Sequence, residues 1–428
     1  MILGAVRFAC HGCGAVVDAV RALPFRCPNA GERGVDHVLV PGGGGAEFAR
    51  SAEENPFLRY RALLSPYRVA RAGGLSDSAY GELVERLDSA LVSVDGRGFR
   101  TTPLRLQPAL ARSAGVPGDL WVKDETGNVS GSHKARHLMG VMLYLRALEA
   151  AGLPAGEGIR ARRLAIASCG NAALAAAILA RAADWPIDVF IPPSASAAVV
   201  RRLRDLGAGI AVCERRAGEM GDPCYLRFAE AVAGGAIPFG VQGTANGLAV
   251  EGGRTMAFEL ADTLRATGAT PETLFVQVGG GALASSLAQG LAIAVAAGVL
   301  PRVPRLFAVQ TAACAPLERA VRLARGVPLF EAARSRSRFM WPWEGTPTSL
   351  ADGILDDETY DWWAVTDGLR RSGGGVVVVE EDQVERARGL AERDTGVRAS
   401  ATGTAGLAGV LASPPAGGAA VIFSGAAR

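Results

Sequence analysis

Lys134 closes the run Asn128-Val-Ser-Gly-Ser-His-Lys134 and is followed by the apolar stretch Leu138–Leu145. A lysine amine condenses with a carbonyl to form a Schiff base when it is neutral, partly desolvated and held in place. The small residues before Lys134 leave room for a ligand, and the apolar helix after it supplies the desolvation. Three more segments place polar groups where loops meet strands. Ser168-Cys169-Gly170-Asn171 follows an apolar strand and opens a helix, so its backbone N–H groups suit a carboxylate, and Asn171 can donate to a phenolate oxygen. Gly279-Gly280-Gly281-Ala282-Leu283 lets the backbone approach a phosphate at a helix start. Ser424 ends the last strand, where its hydroxyl can meet a heterocyclic nitrogen without fully protonating it.

Each segment also has an ordinary reading. A lone lysine near a helix start is usually at the surface, a Ser-x-Gly-Asn turn is often an N-cap, and a terminal serine often belongs to a turn. The glycine segment further satisfies the dinucleotide pattern through Gly279, Gly281 and Ala284, which raises an NAD-linked oxidoreductase as an alternative. That reading needs a carboxylate at the end of the next strand to hold ribose hydroxyls. The strand Leu306–Val309 ends instead in Gln310-Thr311.

The elements that must position these groups alternate between strands and helices from about residue 100, the pattern of α/β lobes with parallel sheets. Strands are predicted at Leu164–Ala167, Ile187–Ile191, Leu274–Val278, Leu306–Val309, Gly375–Val379 and Ala419–Phe423. Helices are predicted over Leu174–Ala183 and Val199–Leu206, the latter closed by Gly207. In such sheets ligands bind at the carboxyl ends of the strands, where all four segments fall.

The chain's 428 residues allow two or three lobes, and its 49% hydrophobic and 20% charged composition is that of a globular protein. A net charge of +3 with scattered arginines gives no reason to expect nucleic acid. The uncharged stretch Thr273–Pro301 is broken by the triplet Gly279-Gly280-Gly281, two glutamines and two serines, and reads as strand, turn and buried helix rather than a membrane span. Met1–Phe8 lacks the basic start and apolar length of a signal peptide, so a cytoplasmic location is expected. Seven irregularly spaced cysteines argue against a disulfide scaffold, and four histidines leave little material for a histidine-dependent hydrolase.

Taken together and in this order, these segments resemble the tryptophan-synthase-β-like (fold type II) superfamily of pyridoxal 5′-phosphate (PLP) enzymes, with a look closest to threonine synthases and serine/threonine dehydratases. The resemblance runs from about Thr101 to the C-terminus. It includes Thr102-Pro-Leu104, Lys123-Asp-Glu-Thr-Gly-Asn128, Asn246 to Glu251-Gly-Gly-Arg-Thr255, and the four segments above. It implies an α/β fold with two open parallel lobes: a large PLP-binding lobe from residues 46–115 and 241–428, and a smaller lobe, 116–240, carrying the lysine and substrate loop. It also implies that Lys134 is the Schiff-base lysine and the base for Cα. Asn171, Gly279, Gly280, Gly281, Ala282, Leu283 and Ser424 would bind PLP, and Ser168, Cys169, Gly170 and Asn171 the substrate carboxylate.

The implied function is elimination or replacement on a β- or γ-substituted L-α-amino acid, threonine-synthase-like, with serine/threonine dehydration as the alternative. A third class is a PLP-fold protein that binds without turnover. His133-Lys134-Ala135-Arg136 departs from the Phe-Lys-Asp-Arg common in threonine synthases, which bears on recognition of a phosphorylated homoserine. Cys169 replaces the usual small hydroxyl residue. Threonine-synthase-like chains often begin with a zinc ribbon. Here Cys10, Cys13 and Cys27 match it, Ala30 stands at the fourth ligand position, and His37 would complete a Cys3His site within the N-terminal segment 1–45. The resemblance further implies a homodimer.

Overall fold

A computed structural model of the chain describes residues 5–32, 34–42 and 48–428. Met1–Gly4 and Gly43–Gly45 of the glycine run lie outside them. Near the N-terminus β1 (Arg7–Cys10), β2 (Val16–Asp18) and β3 (Leu39–Pro41) form an antiparallel sheet in the order β2-β1-β3. Next come β4 (Leu104–Leu106) and β5 (Leu120–Asp124), then β6 (Leu164–Ala167), β7 (Ile187–Ile191), β8 (Gly209–Val212) and β9 (Ile237–Pro238). The last four are β10 (Thr273–Gln277), β11 (Arg305–Thr311), β12 (Gly375–Val379) and β13 (Ala419–Phe423).

Two parallel sheets follow from these strands. The smaller has the order β8-β7-β6-β9. The larger has the order β12-β11-β10-β13-β5-β4, parallel except where β4 meets β5. Both faces of the larger sheet are covered, as a parallel sheet requires. Leu274, Val276, Ala420 and Ile422 point into one apolar core and Phe275, Val421 and Phe423 into the other, the period of two that a strand imposes.

The fold class is the expected one, but the sheets divide the chain differently from the predicted lobes 46–115 with 241–428 and 116–240. β5 lies inside 116–240, yet it pairs with β13 in the larger sheet. Conversely, helices Ser65–Ala72 and Asp77–Asp95 bury Val69, Tyr80 and Leu87 in the core that holds Leu138, Leu164 and Leu174 of the smaller lobe. The reason is that apolar faces choose partners by complementarity across the fold, which a linear boundary does not express.

The helix Lys134–Ala150 is buried along nearly its whole length. A Cβ at Gly252 would stand 2.1 Å from the Arg136 carbonyl oxygen, so only glycine lets the Glu251-Gly-Gly run lie this close to the helix. Among the described residues, no single helix is long and apolar enough to cross a membrane. The N-terminal segment packs onto the chain around residues 333–363. His11 stacks on Trp363 with ring centroids 4.3 Å apart. Its Nε2 lies 3.1 Å from Asp36 Oδ2, and Asp36 Oδ1 is 3.3 Å from Arg336.

Candidate active site

The strand order sets β10, β13 and β5 side by side, so the loops leaving their carboxyl ends form one rim. β10 runs into Gly279–Leu283, β13 into Ser424, and β5 into the turn that leads to Lys134. The backbone N–H and Nδ1 of His133 lie 3.0 and 3.1 Å from the Ser424 carbonyl oxygen, which joins the start of the Lys134 helix to the end of β13. The smaller lobe reaches the same place. Asn171 Nδ2 would lie 3.2 Å from a Cβ placed on Gly425.

Lys134 is partly buried, and its ammonium forms no hydrogen bond or ion pair among the described residues. Desolvation lowers its pKa, while the charges of Asp356 and Asp361 act to raise it. The net depression keeps more of the amine neutral at ordinary pH, as covalent and proton-transfer chemistry requires. Asn171 begins the helix Asn171–Ala182 with Gly170 as its cap, and Ser168 and Cys169 precede it on the cleft side, Cys169 exposed. Desolvation in the cleft, with repulsion from Asp352 and Asp222, pushes the Cys169 thiol up, so it stays protonated.

The glycine loop leads into the helix Ala282–Ala296, with Gly281 at φ +97°. Among the described residues, the N–H groups of Gly281, Ala282, Leu283 and Ala284 have no acceptor, which leaves an anion cradle at the helix start. The loop is covered by a segment sequence reasoning left without a role. Asp356 Oδ2 accepts the Gly280 N–H at 2.7 Å, Thr359 Oγ1 donates to the Gly279 carbonyl at 3.0 Å, and a Cβ on Gly280 would strike the Tyr360 ring at 2.9 Å. The Asp352–Asp361 run thus forms one wall of the cleft. Its five closely spaced acids, Asp352, Asp356, Asp357, Glu358 and Asp361, were the signal in the sequence.

Lys123-Asp-Glu-Thr-Gly-Asn128 also proves to be more than a motif. Arg136, two residues after Lys134, is fully buried and holds Glu125 through Nε at 2.8 Å and Nη2 at 3.0 Å. It reaches Glu259 at 2.6 and 3.1 Å, Thr255 at 3.0 Å and Thr102 at 3.1 Å. Lys123 completes the set on Glu259 at 2.5 Å. Two cations and two carboxylates therefore balance in the interior. Despite desolvation, Arg136 holds the Glu125 carboxyl down at about 2. His133 and His137 flank Lys134 with ring centroids 5.6 Å apart, and both are kept neutral, His137 pushed down to about 4, by burial and then by the Lys134 charge.

The residues present fit PLP: an unpaired lysine amine, a free N–H cradle at a helix start, and a buried hydroxyl at the end of β13. The dinucleotide alternative loses its last support here. Gln310 is occupied in capping Leu317 and Glu318 through Oε1 and in donating to the Val278 carbonyl. The family model for pyridoxal-phosphate dependent enzymes matches residues 97–425, and the chain belongs to that family. "Serine dehydratase-like" of Rattus norvegicus is 31% identical over 193 residues, 45% of this chain and 52% of that protein. The mouse "L-serine dehydratase/L-threonine deaminase" is 30% identical over 196 residues, 44% of this chain and 52% of that one. The chain thus spans about half the length of the curated relatives it matches. Among solved structures, maize serine racemase aligns with a TM-score of 0.59 at 18% identity, covering 80% of this chain and 92% of that one. Diaminopropionate ammonia lyase of Escherichia coli aligns at 0.58 and 16%, covering 89% and 93%. These likenesses are ones of fold.

Asp361 is a buried acid whose charge changes near neutral pH. Burial raises its carboxyl to about 7, although the Gly243 N–H lowers it. An acid whose folded pKa lies above its unfolded value loses stability as pH rises between the two, here from about 4 to 7. Asp361→Asn should therefore raise Tm at pH 8 and leave it nearly unchanged at pH 4, checked by thermal melts across that range. Equal effects at both pH values would contradict the shift.

Proposed function

We propose that this chain eliminates the β-hydroxyl of a small L-α-amino acid of the serine/threonine class: water leaves to give an enamine, and one water then hydrolyses its imine tautomer to ammonia and a 2-oxo acid. The observation that carries this choice is the charge of the cleft. Asp352 and Asp222 act on Cys169 of the substrate loop, and Asp356 and Asp361 act on Lys134. Burial raises the carboxyls of Asp356 and Asp361, so the charge of Asp352 and Asp222 beside the substrate loop is what a phosphate on the substrate's γ-carbon would meet with repulsion and a neutral hydroxyl would not. The names of the curated relatives point the same way. The Glu251-Gly-Gly-Arg-Thr255 run favours the threonine-synthase-like reading, and the assay below separates the two.

Bound PLP supplies an electrophilic carbonyl carbon and a conjugated ring that accepts electrons from Cα. Lys134 would hold the cofactor, and its amine, which burial helps keep neutral, would take the Cα proton. The N–H groups of Cys169 and Asn171 would bind the substrate carboxylate, since the Ser168 N–H is spent on the Phe190 carbonyl, and the Asn171 side chain would donate to the cofactor's phenolate oxygen. The N–H groups of Gly281, Ala282 and Leu283 would hold the phosphate, and Ser424 would meet the ring nitrogen. His133 and His137, neutral and buried, add no positive charge beside Lys134. The test is steady-state assay of purified enzyme with L-serine, L-threonine and O-phospho-L-homoserine. Formation of 2-oxo acid and ammonia from the first two is expected. Phosphate release from the third, with no 2-oxo acid from the others, would overturn the reading.

A structural zinc at Cys10, Cys13, Cys27 and His37 belongs to the same proposal. Their ligand atoms all lie within 4.8 Å of one another, with Cys13 Sγ 3.5 Å from Cys27 Sγ and Cys10 Sγ 3.6 Å from His37 Nδ1. Zinc–sulfur bonds of about 2.3 Å at tetrahedral angles put sulfurs about 3.8 Å apart, close to this spacing. Elemental analysis should find one zinc per chain, and chelation should lower Tm by several degrees. Metal-free protein with an unchanged Tm would refute the assignment. The homodimer expected from the resemblance is part of this reading, and light scattering measures it.

A further inference from the structure

Gln277 is the last residue of β10, and it is buried beside Ser424. Its Nε2 lies 2.6 Å from Ser424 Oγ, 2.8 Å from the Gly403 carbonyl oxygen, 3.2 Å from that of Thr402 and 3.3 Å from that of Ile422. Three carbonyls around one end of the amide fix its orientation, because the flipped amide would set oxygen against oxygen. The amide oxygen itself has no partner and faces Gly406, where a Cβ would stand 3.0 Å away. A side chain held this way, with its own acceptor unsatisfied in the interior, costs free energy that a purely structural glutamine need not incur.

The nitrogen carries two hydrogens. One goes to Gly403 and the other to Ser424 Oγ, so the serine oxygen accepts. Ser424 then has a single proton left, and among the described residues no acceptor meets it. We infer that Gln277 is a positioning residue that makes Ser424 an obligate hydrogen-bond donor to the cofactor's ring nitrogen. This rests on the PLP reading above. The ring nitrogen would then receive a neutral hydroxyl donor and remain unprotonated. The polarity of the contact is thus set one residue away from it.

Gln277→Glu tests this. A protonated carboxyl can keep the bond to Gly403 but offers its second oxygen to Ser424, which must turn its proton inward. The ring nitrogen then meets a lone pair and must either gain a proton or lose its partner. In holoenzyme loaded with ring-15N PLP, the solid-state 15N signal of the natural protein should fall in the unprotonated range. In the Gln277→Glu protein it should move toward the pyridinium range, or apoprotein should bind PLP roughly tenfold more weakly, the loss of one buried hydrogen bond. In a Ser424→Ala background the same exchange should change neither readout. An unchanged signal and affinity in Gln277→Glu, or an equal effect without Ser424, would overturn the inference. Should Gln277→Glu not fold, Ser424→Ala alone decides: its 15N signal must shift from that of the natural protein, and no shift refutes the contact. Natural protein that binds no PLP and takes no label on Lys134 marks a different failure, that of the cofactor reading itself.

Discussion

Lys134→Ala is expected to lower turnover by roughly a thousandfold or more, the combined loss of covalent attachment and of the base at Cα. It should do so without unfolding the protein. Lys134 makes no hydrogen bond or ion pair among the described residues, and its ammonium is held against a desolvation cost. Removing it should leave Tm unchanged or slightly raised, so the kinetic and thermal measurements must part company. A parallel collapse of Tm and turnover would mean that the lysine is a structural group. Addition of a small primary amine, which can stand in for the missing Nζ as a base, is expected to restore part of the rate.

Arg136→Met should have the largest effect on stability. The substitution leaves Glu125 and Glu259 buried with Lys123 as the sole remaining cation, and breaking a buried pair from one side costs about 3–5 kcal/mol. Denaturant titration at pH 7 reads this directly. The pH dependence carries a second check. Because Glu125 is held at about 2, below its ordinary value of 4.5, its contribution is complete above about pH 4.5 and fades as pH falls toward 2. The deficit of Arg136→Met should therefore shrink in acid. Arg136→Lys should recover only part of the loss, since an ammonium cannot span Glu125 and Glu259 as the guanidinium fork does. A deficit under 1 kcal/mol at pH 7 would remove the network from the account of how Lys134 is placed.

The strands at Leu164–Ala167, Ile187–Ile191, Gly375–Val379 and Ala419–Phe423 lie where the sequence predicts them. Each is a short apolar run bounded by glycine, proline or polar residues, so local chemistry alone specifies it. The helices at Asn171–Ala182 and Ala197–Asp205 begin earlier than predicted, by three and two residues. Their first turns are polar or small and carry little periodic signal. The antiparallel strands of the N-terminal sheet were not anticipated, because three- and four-residue strands are too short to show alternation.

Within the candidate site, Asn171 and the glycine loop stand out in the sequence because each joins a strand end to a helix start, Ser424 because it follows the last strand, and Lys134 because it opens an apolar helix. Asp356 and Asp361 were not, since their importance comes from a return of the chain onto Gly280 and Gly243 across more than 70 residues. The roles of Glu125 and Arg136 were hidden for the same reason. Glu259, which completes their charge balance, is 123 residues from Arg136. Gln277 falls within the strand predicted over Leu274–Val278, and only the packing of β10 against β13 gives it Ser424 as a partner.

Lys134 is the residue on which the proposed cofactor chemistry depends. The visible spectrum of the purified protein, taken before and after borohydride reduction and followed by peptide mapping, addresses that most directly. A visible band that reduction abolishes, with the pyridoxyl mass on the peptide containing Lys134, is the predicted result. A protein that stays colourless after incubation with PLP, or that carries the label on another lysine, would contradict it.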